Sequence, residues 1–518
     1  MTSTRPVVAT DHVGAARATR REWIGLAVLT LPCFLLSMDL TVLFLALPAL
    51  SADLQPSSAQ LLWIVDIYGF LIAGSLITMG TLGDRIGRRR LLLIGAAAFG
   101  VASTVAAFST SAEMLIATRA LLGVAGATLM PSTLALIRNM FHDPAQRSTA
   151  ISIWVTSFMV GGAIGPLLGG VMLEHFWWGS VFLLNVPVMA LLLVIGPVLL
   201  PENRDPNAGH LDLLSAGLSL VAILAVIYGI KRVAQDGFSA ASGMGIVAGF
   251  LIGAVFVLRQ RRLTHPLIDL DLFRVPAFST SVGTQLISLT AMNGIYLFAA
   301  QYLQLVFELS PLHAGLWLLP STVFGIAGSM LAPVAARRIR PAYVMGAGLM
   351  LGAIGFGVLS QMRADSGIPH LVTAFIILSI GIGATLTVTT DLIVGVAPPE
   401  RAGAASAISE TSSELGLALG IALIGSLGTA VYRRDITRAL PEGMPAEVAE
   451  AARDTLGSAL ALAARLPDQI GTELARLARA AFLHAMETTA ITGTAILVGL
   501  AIVVILVLRH LKPRASSS

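Results

Sequence analysis

The chain has 518 residues, of which 56% are hydrophobic and only 12% are charged, with a formal net charge of +4 and one cysteine, Cys33. Soluble domains carry about 25% charged residues, so the composition excludes a soluble globular protein and indicates a polytopic membrane protein. A single cysteine excludes an internal disulfide. Because Lys and Arg cluster in short loops between apolar segments, the positive charge indicates membrane topology, and we expect no nucleic-acid partner.

Fourteen apolar segments are long enough to cross a bilayer, which needs about 20 residues per helix. They occupy roughly residues 24–50, 61–79, 91–108, 113–137, 148–173, 180–200, 213–232, 243–260, 276–306, 313–335, 342–362, 369–396, 402–431 and 484–508. The Arg clusters fall in alternate loops, with Lys231, Arg232 and Arg363 as the main exceptions. The positive-inside rule therefore predicts a membrane protein with both termini in the cytoplasm.

A weak repeat divides the spans. Residues 79–88 close the second span, and residues 329–338 close the tenth in a similar way. Spans one to six thus pair with spans nine to fourteen, as in transporters built from two related halves. We expect a tail, a six-helix half, two inserted helices, a second half and a second tail at residues 1–22, 23–200, 201–265, 266–510 and 511–518.

The loop at residues 433–482, between the last two spans, is expected to lie outside the cell. Apolar residues recur at helical spacing in segments 446–462 and 469–482, on either side of Pro467. This pattern predicts an external helical hairpin.

Several charged residues lie inside predicted spans, where a charge costs about 3 kcal/mol or more unless it faces a bundle interior or water. The candidate proton- and cation-coupling residues are Asp39, Asp66, Arg119, Asp391, Glu410 and Glu414. The acids either attract a cation and exchange protons, or only hold helices together by hydrogen bonds. Glu410 and Glu414 share a helix face, and two close carboxylates disfavour double ionisation. Arg119 either tunes a neighbouring acid or forms a static ion pair, and Asp391 is either a cavity acid or a contact near Arg401.

Residues 80–90 form a basic, Gly-rich hairpin between two spans. The glycines permit a tight turn, and Asp84 can pair with Arg88 or with a helix N-terminus. We predict a latch that holds the cytoplasmic gate shut, formed by Gly80, Gly83, Asp84, Arg85, Gly87 and Arg88. Ordinary membrane topology explains the arginines, but not Asp84 or the glycines.

The fifth span carries a run of small residues that lets it approach its neighbours closely. Its candidate positions are Gly161, Gly165, Pro166, Gly169 and Gly170. Such dense packing either blocks leak or is only a structural seam.

Aromatic side chains in the spans are candidates for the wall of a cavity that binds flat lipophilic cations, because cation–π contacts suit quaternary ammonium groups. Each of them is alternatively a packing residue or an interface anchor. The candidates are Trp63, Tyr68, Trp154, Phe158, Tyr296, Tyr302, Trp317 and Phe324.

Together these motifs resemble the major facilitator superfamily. Residues 80–90 are similar to its signature loop, residues 115–123 to its fourth-helix Arg motif, and residues 161–170 to its antiporter motif. Met38-Asp39-Leu40-Thr41 and Asn185-Val186-Pro187 resemble the fourteen-helix drug:proton antiporters, and in particular the quaternary-ammonium and methyl-viologen efflux pumps. The resemblance implies an all-α major facilitator fold of two six-helix halves plus two inserted helices.

The resemblance also implies export of lipophilic cations such as quaternary ammonium compounds, dyes and viologens, in exchange for protons. We expect no enzymatic activity, no metal and no cofactor, with the proton gradient as the energy source. The expected partners are lipophilic cations, protons and membrane lipids, and the chain is expected to be a monomer. The sequence contains no Gly-x-x-x-x-Gly-Lys-Ser/Thr segment, which argues against an ATP-driven pump.

Two alternatives stay open at this point. The same fold would serve to export an endogenous metabolite or lipid. In a different class, the chain would be a non-transporting membrane scaffold that uses its external hairpin.

Overall fold

The computed structural model describes residues 17–202, 204, 212–263, 266–363, 366–397, 402–440 and 446–511. In this part of the chain, fourteen helical spans are long and apolar enough to cross a membrane, which confirms the predicted all-α polytopic fold. The first six spans are formed by α1 (Arg20–Leu54), α2 (Ser58–Ile86), α3 (Arg88–Ala107), α4 (Ala112–Met140), α5 (Pro144–His175), α6 (Ser180–Leu183) and α7 (Asn185–Leu199).

The helices α6 and α7 together make the sixth span. The next two spans are α8 (Leu213–Asp236) and α9 (Ala240–Gln260). The remaining helices, two of them followed by π-helical turns at Tyr302–Val306 and Gly420–Gly425, are α10 (Pro276–Gln301), α11 (Pro311–Arg338), α12 (Pro341–Leu359), α13 (Ile368–Val396), α14 (Ala402–Leu419), α15 (Ser426–Ala439), α16 (Ala446–Asp454), α17 (Leu456–Ala463) and α18 (Asp468–Leu508).

Most spans extend beyond their apolar segments because polar residues cap the helix ends. Thr19 and Glu22 form a capping box at the start of α1, and Ser57 and Gln60 form one at the start of α2. These side chains satisfy backbone N–H groups that have no partner within the helix. Proline occupies the first turn of α10, α11, α12 and α13, where its missing N–H costs nothing: Pro276, Pro311, Pro341 and Pro369.

The first six and the last six spans pack in the same pairs. α1 packs on α5, α2 on α4, and α3 on both α4 and α7; correspondingly, α10 packs on α14, α11 on α13, and α12 on both α13 and α18. The helices α8 and α9 pack on each other, and α8 also lies against α2 and α15. The predicted domain boundaries stay a prediction, but the recurring pairs follow the order of the predicted repeat.

The hairpin between the last two spans differs from the prediction. Its second arm is not a separate helix, because α18 runs without a break for 41 residues from Asp468 into the last span. Helical apolar spacing continues past residue 482, and Pro467 stands at the N-cap of α18, so no breaker separates the arm from the span. The first arm is broken at Thr455, whose side chain accepts the Ser458 N–H and caps α17.

The hairpin packs onto one end of the bundle, which we call the hairpin face; the opposite end, where α1 begins and α18 ends, is the terminal face. The Ser58 hydroxyl donates to the carbonyl of Asp454, and Arg433 Nη1 lies 3.1 Å from an Asp454 carboxylate oxygen. Burial raises the pKa of Asp454, and the charge of Arg433 opposes this shift. The hairpin is therefore tied to the ends of both α2 and α15.

Gly123 sets the distance between α2 and α4. A Cβ added at Gly123 would lie 2.6 Å from the carbonyl oxygen of Tyr68, closer than real Cβ contacts, whereas one added at Gly357 would meet nothing within 4 Å. We expect Gly123→Ala to destabilise the protein by about 1–3 kcal/mol through overpacking. The matched control Gly357→Ala should be neutral or slightly stabilising. Thermal unfolding in detergent measures both, and equal midpoints would contradict the assigned packing.

Candidate functional site

A cavity of about 360 Å³ lies at the centre of the bundle, between α1, α2, α4 and α5 on one side and α10, α11, α13 and α14 on the other. Its wall is mainly apolar, with three aromatic rings, Phe44, Phe158 and Tyr296, and two charged side chains, Asp66 and Arg119. A cavity of this size and character suits a small, largely apolar ligand that carries charge.

Arg119 and Asp39 form a buried ion pair beside the cavity. Arg119 Nη1 lies 2.5 Å from Asp39 Oδ2, and the Arg119 Nε donates to the carbonyl of Ile64 at 3.1 Å. The guanidinium also lies 4.4 Å from the centroid of the Tyr68 ring. Because Gly123 lets α2 approach α4, Arg119, one turn earlier on α4, reaches the backbone of α2. The pair fixes α1, α2 and α4 together and neutralises the positive charge at the cavity wall.

Asp66 forms a second buried ion pair, with Lys231 of α8. The Lys231 Nζ lies 2.9 Å and 2.8 Å from the two Asp66 carboxylate oxygens, and 3.7 Å from the centroid of the Trp63 ring. Lys231 is an exception to the predicted charge pattern of the loops, and its side chain is buried. A signal was available, because the only two lysines in the chain are Lys231 and Lys512.

Glu410 and Glu414 lie one turn apart on α14, on the side from which Leu417 and Ala418 line the cavity. The two acids precede Leu417 and Ala418 on α14, so they lie closer to the terminal face than these two cavity residues do. Within the described residues neither acid has an ion-pair partner, and Glu414 Oε2 is buried without a hydrogen bond. Glu414 is close enough to Glu410 for the charges of the two carboxylates to interact. Of the four candidate acids on α1, α2 and α14, these two are not neutralised by a neighbouring cation.

Asp391 is exposed near the terminal end of α13 and does not line the cavity. Its predicted neighbour Arg401 lies outside the described residues. The position of Asp391 therefore does not favour a role as a cavity acid.

The aromatic predictions require correction, since only Phe158 and Tyr296 of the eight candidates line the cavity. Tyr68, Trp154 and Tyr302 are buried in helix contacts, and Trp63 covers Lys231. Trp317 and Phe324 are 39% and 45% exposed on α11.

One aromatic ring of the cavity, Phe44, was not among the predicted residues; its centroid lies 6.3 Å from that of Tyr296. Helical periodicity alone does not separate an aromatic residue that lines a cavity from one that packs against a neighbouring helix.

The sequence profile of the Major Facilitator Superfamily matches residues 29–421. The chain belongs to the Major Facilitator Superfamily. The multidrug efflux pump LfrA of Mycolicibacterium smegmatis is 45% identical, over 94% of this chain and 96% of that protein. The methyl viologen resistance protein SmvA of Salmonella typhimurium is 35% identical, over 89% of this chain and 93% of that protein. The predicted resemblance to methyl-viologen efflux pumps is confirmed.

A solved structure supports the same fold. The inward-facing, unoccupied bacterial homolog of the human lysosomal transporter Spinster superposes with a TM-score of 0.69 at 17% identity, covering 97% of this chain and 100% of that one. At this identity the likeness supports the fold alone.

The superfamily signature loop, residues 80–90, makes its polar contacts with residues of the first six spans and with Glu202, which follows them. Asp84 Oδ1 lies 2.5 Å from Arg88 Nη2, and the Glu202 carboxylate accepts the Arg89 N–H at 3.2 Å at the start of α3. Gly87 has φ of 109°, and Glu202 occupies the space that a side chain at Gly87 would need. Arg85 is exposed. Sequence reasoning missed Glu202, which follows α7 and therefore gives no local signal.

Asp84 has no partner from the last six spans among the residues that the structure describes. Gly80 makes no close approach either, since an added Cβ would meet only Pro131, at 3.9 Å. The latch between the two sets of spans stays a prediction.

The small residues of α5 allow two close helix contacts. A Cβ added at Gly161, Gly165 or Gly169 would collide with α1, at Phe34, Thr41 and Val42 respectively.

Toward the hairpin face, the same helix meets α11. A Cβ at Gly170 would lie 2.5 Å from Leu312 Cα, and one at Gly315 would lie 2.5 Å from the Pro166 carbonyl oxygen. Gln304 also donates across the two sets of spans, to the Leu45 carbonyl at 3.1 Å. These contacts join the two sets of spans on the side of the hairpin face.

Proposed function

We propose that this protein is a proton-driven antiporter that exports lipophilic cations from the terminal face, which we assign to the cytoplasm of a bacterial cell. The observation that carries the proposal is the central cavity, whose apolar and aromatic wall contains the Asp66 carboxylate. The names of two relatives, a multidrug efflux pump and a methyl viologen resistance protein, support it.

A lipophilic organic cation fits this cavity for two physical reasons. The rings of Phe44, Phe158 and Tyr296 offer π faces to a delocalised positive charge, and apolar contacts favour its hydrocarbon part. Asp39 neutralises Arg119, which would otherwise repel a cation from the same wall. The carboxylate of Asp66, which pairs with Lys231 in this structure, is the anionic group proposed to receive the exported cation.

Glu414, with Glu410 beside it, is the proposed proton carrier. A buried carboxylate without a cationic partner is costly in its charged form, and a bound proton removes that cost. A proton that arrives from outside would neutralise Glu414 and weaken the binding of the cation. Loss of that proton toward the cytoplasm would restore the state that binds the cation.

The hairpin-face contacts and the Asp84–Arg88 pair favour a state whose cavity is accessible from the cytoplasmic side. Export then requires the hairpin-face contacts to part and the signature loop to close the opposite side. The energy source in this proposal is the proton gradient, with no cofactor.

The proposal is tested with the full chain in liposomes under an imposed proton gradient. Accumulation of tetraphenylphosphonium is expected, and tetraphenylborate, which has the same shape and the opposite charge, should not accumulate. Accumulation of both ions or of neither would count against a cation exporter.

Tyr296→Ala is expected to raise the KM for tetraphenylphosphonium by about tenfold, because it removes a cation–π partner worth about 1–2 kcal/mol. The matched control Phe324→Ala removes an exposed ring on α11 and should leave KM unchanged. Initial transport rates across substrate concentrations measure both effects. An equal change in the two variants would remove the argument for Tyr296 as a cavity residue.

A further inference from the structure

The inserted helix α8 places an ammonium group inside the candidate cation site. Lys231 has only two described polar or aromatic contacts, the Asp66 carboxylate at 2.8 Å and the Trp63 ring at 3.7 Å. A carboxylate and an aromatic face are also the two groups that recognise an organic cation. Lys231 therefore makes the same two kinds of contact, with a carboxylate and with an aromatic ring, that a bound organic cation would make.

The two buried cations of the site are held differently. Arg119 is fixed by Asp39 and by the carbonyl of Ile64, and its guanidinium lies over the Tyr68 ring. Lys231 instead carries a compact charge on a flexible four-carbon stem. Every other Lys or Arg in the chain is an Arg except Lys512, so a lysine at this position is unusual for this sequence.

A second cavity beside Lys231 can receive its ammonium group when the ion pair with Asp66 opens. This cavity, of about 400 Å³, lies near the hairpin face and is lined by Lys231, Trp63, Ser57, Gln60 and Tyr228, among others. Its lining also includes a second cation, Arg232. Tyr228 is 45% exposed at its border. Lys231 lies five residues from the end of α8, close enough for its stem to carry the ammonium toward polar surroundings. Asp66 thus stands between the central cavity and this second cavity.

We propose that Lys231 is a tethered competitor that occupies Asp66 when no drug is bound, exchanges places with the exported cation, and displaces that cation on its return. The inference rests on the proposed function. At every stage Asp66 keeps one cationic partner, which avoids the large cost of leaving a buried charge unpaired. The return of Lys231 to Asp66 would drive release of the drug.

The first test measures binding of tetraphenylphosphonium to the purified full chain. In the wild type only the fraction of molecules in which Asp66 is free can bind the cation, and this lowers the apparent affinity. In Lys231→Met the competitor is absent, so we expect the affinity for tetraphenylphosphonium to increase about tenfold. Turnover in liposomes should fall in the same variant, since release loses its driving group. Lys231→Arg keeps the charge and should bind no more tightly than wild type.

A second test uses the wild-type chain and needs no variant to fold. Reductive methylation of Lys231, followed by mass spectrometry, should increase several-fold when tetraphenylphosphonium saturates the protein, with Lys512 as the internal reference.

If folded Lys231→Met binds the cation no more tightly than wild type, or if labelling of Lys231 does not rise, the inference is overturned and the pair only clamps α8 to α2. If wild type itself binds no lipophilic cation, the proposed function fails as well, so the two failures are distinguishable.

Discussion

Replacement of Asp39 by Asn is expected to abolish cation export and to destabilise the protein. The variant leaves the Arg119 guanidinium buried without its acid, and removal of one partner of a buried ion pair costs about 3–5 kcal/mol. It also exposes the cavity to an unneutralised positive charge. A loss of about 3 kcal/mol in cation binding corresponds to about 100-fold in affinity. Binding of tetraphenylphosphonium, transport and thermal unfolding should all change.

The double variant Asp39→Asn/Arg119→Gln separates the two effects. It removes both charges and lets two amides hydrogen-bond, so we expect stability and much of the cation binding to recover. If Asp39→Asn alone exports at the wild-type rate from folded protein, the role assigned to this pair is wrong.

Glu414→Gln is expected to uncouple the transporter while leaving it able to bind its substrate. The amide has nearly the same shape but cannot carry the exchanged proton, so uptake driven by a proton gradient should fall by about 100-fold or more. Cation binding should change by less than about threefold, since Asp66 and the aromatic wall are untouched. Exchange of labelled for unlabelled cation without a gradient measures the retained function.

Glu473→Gln is the matched control for this prediction. Glu473 is a half-exposed acid that pairs with Arg476 near the start of α18, far along the chain from α14. We expect it to transport normally. Normal gradient-driven uptake by Glu414→Gln would show that another acid carries the exchanged proton.

The number and order of the spans could be predicted from the sequence because span formation is local. A segment such as α13 satisfies its backbone hydrogen bonds internally and is apolar along its length, so hydropathy alone identifies it. The close packing of α5 could also be predicted from its glycines, because only residues without a large side chain permit such close packing. The break at Thr455 and the continuation of α18 depend on capping and on the absence of a breaker, which hydropathy does not report.

The partners of the buried charges could not be predicted in the same way. The acids Asp39 and Asp66 are visible in sequence, but their ion pairs join residues 80 and 165 positions apart. Lys231 lies near the end of an apolar segment, where a lysine usually reaches the membrane surface. Its burial follows from the packing of α8 against α2, which sequence alone does not specify. For the same reason Phe44, which was not predicted, lines the cavity, whereas Trp317, which was predicted to line it, is partly exposed on α11.

The central claim, that export of a cation is coupled to proton movement, is tested most directly with a pH-sensitive dye trapped inside liposomes that contain the full chain. Addition of tetraphenylphosphonium should trigger proton movement opposite to the movement of the cation, and Glu414→Gln should abolish it. Cation transport without any proton movement, from the wild-type protein, would contradict the account.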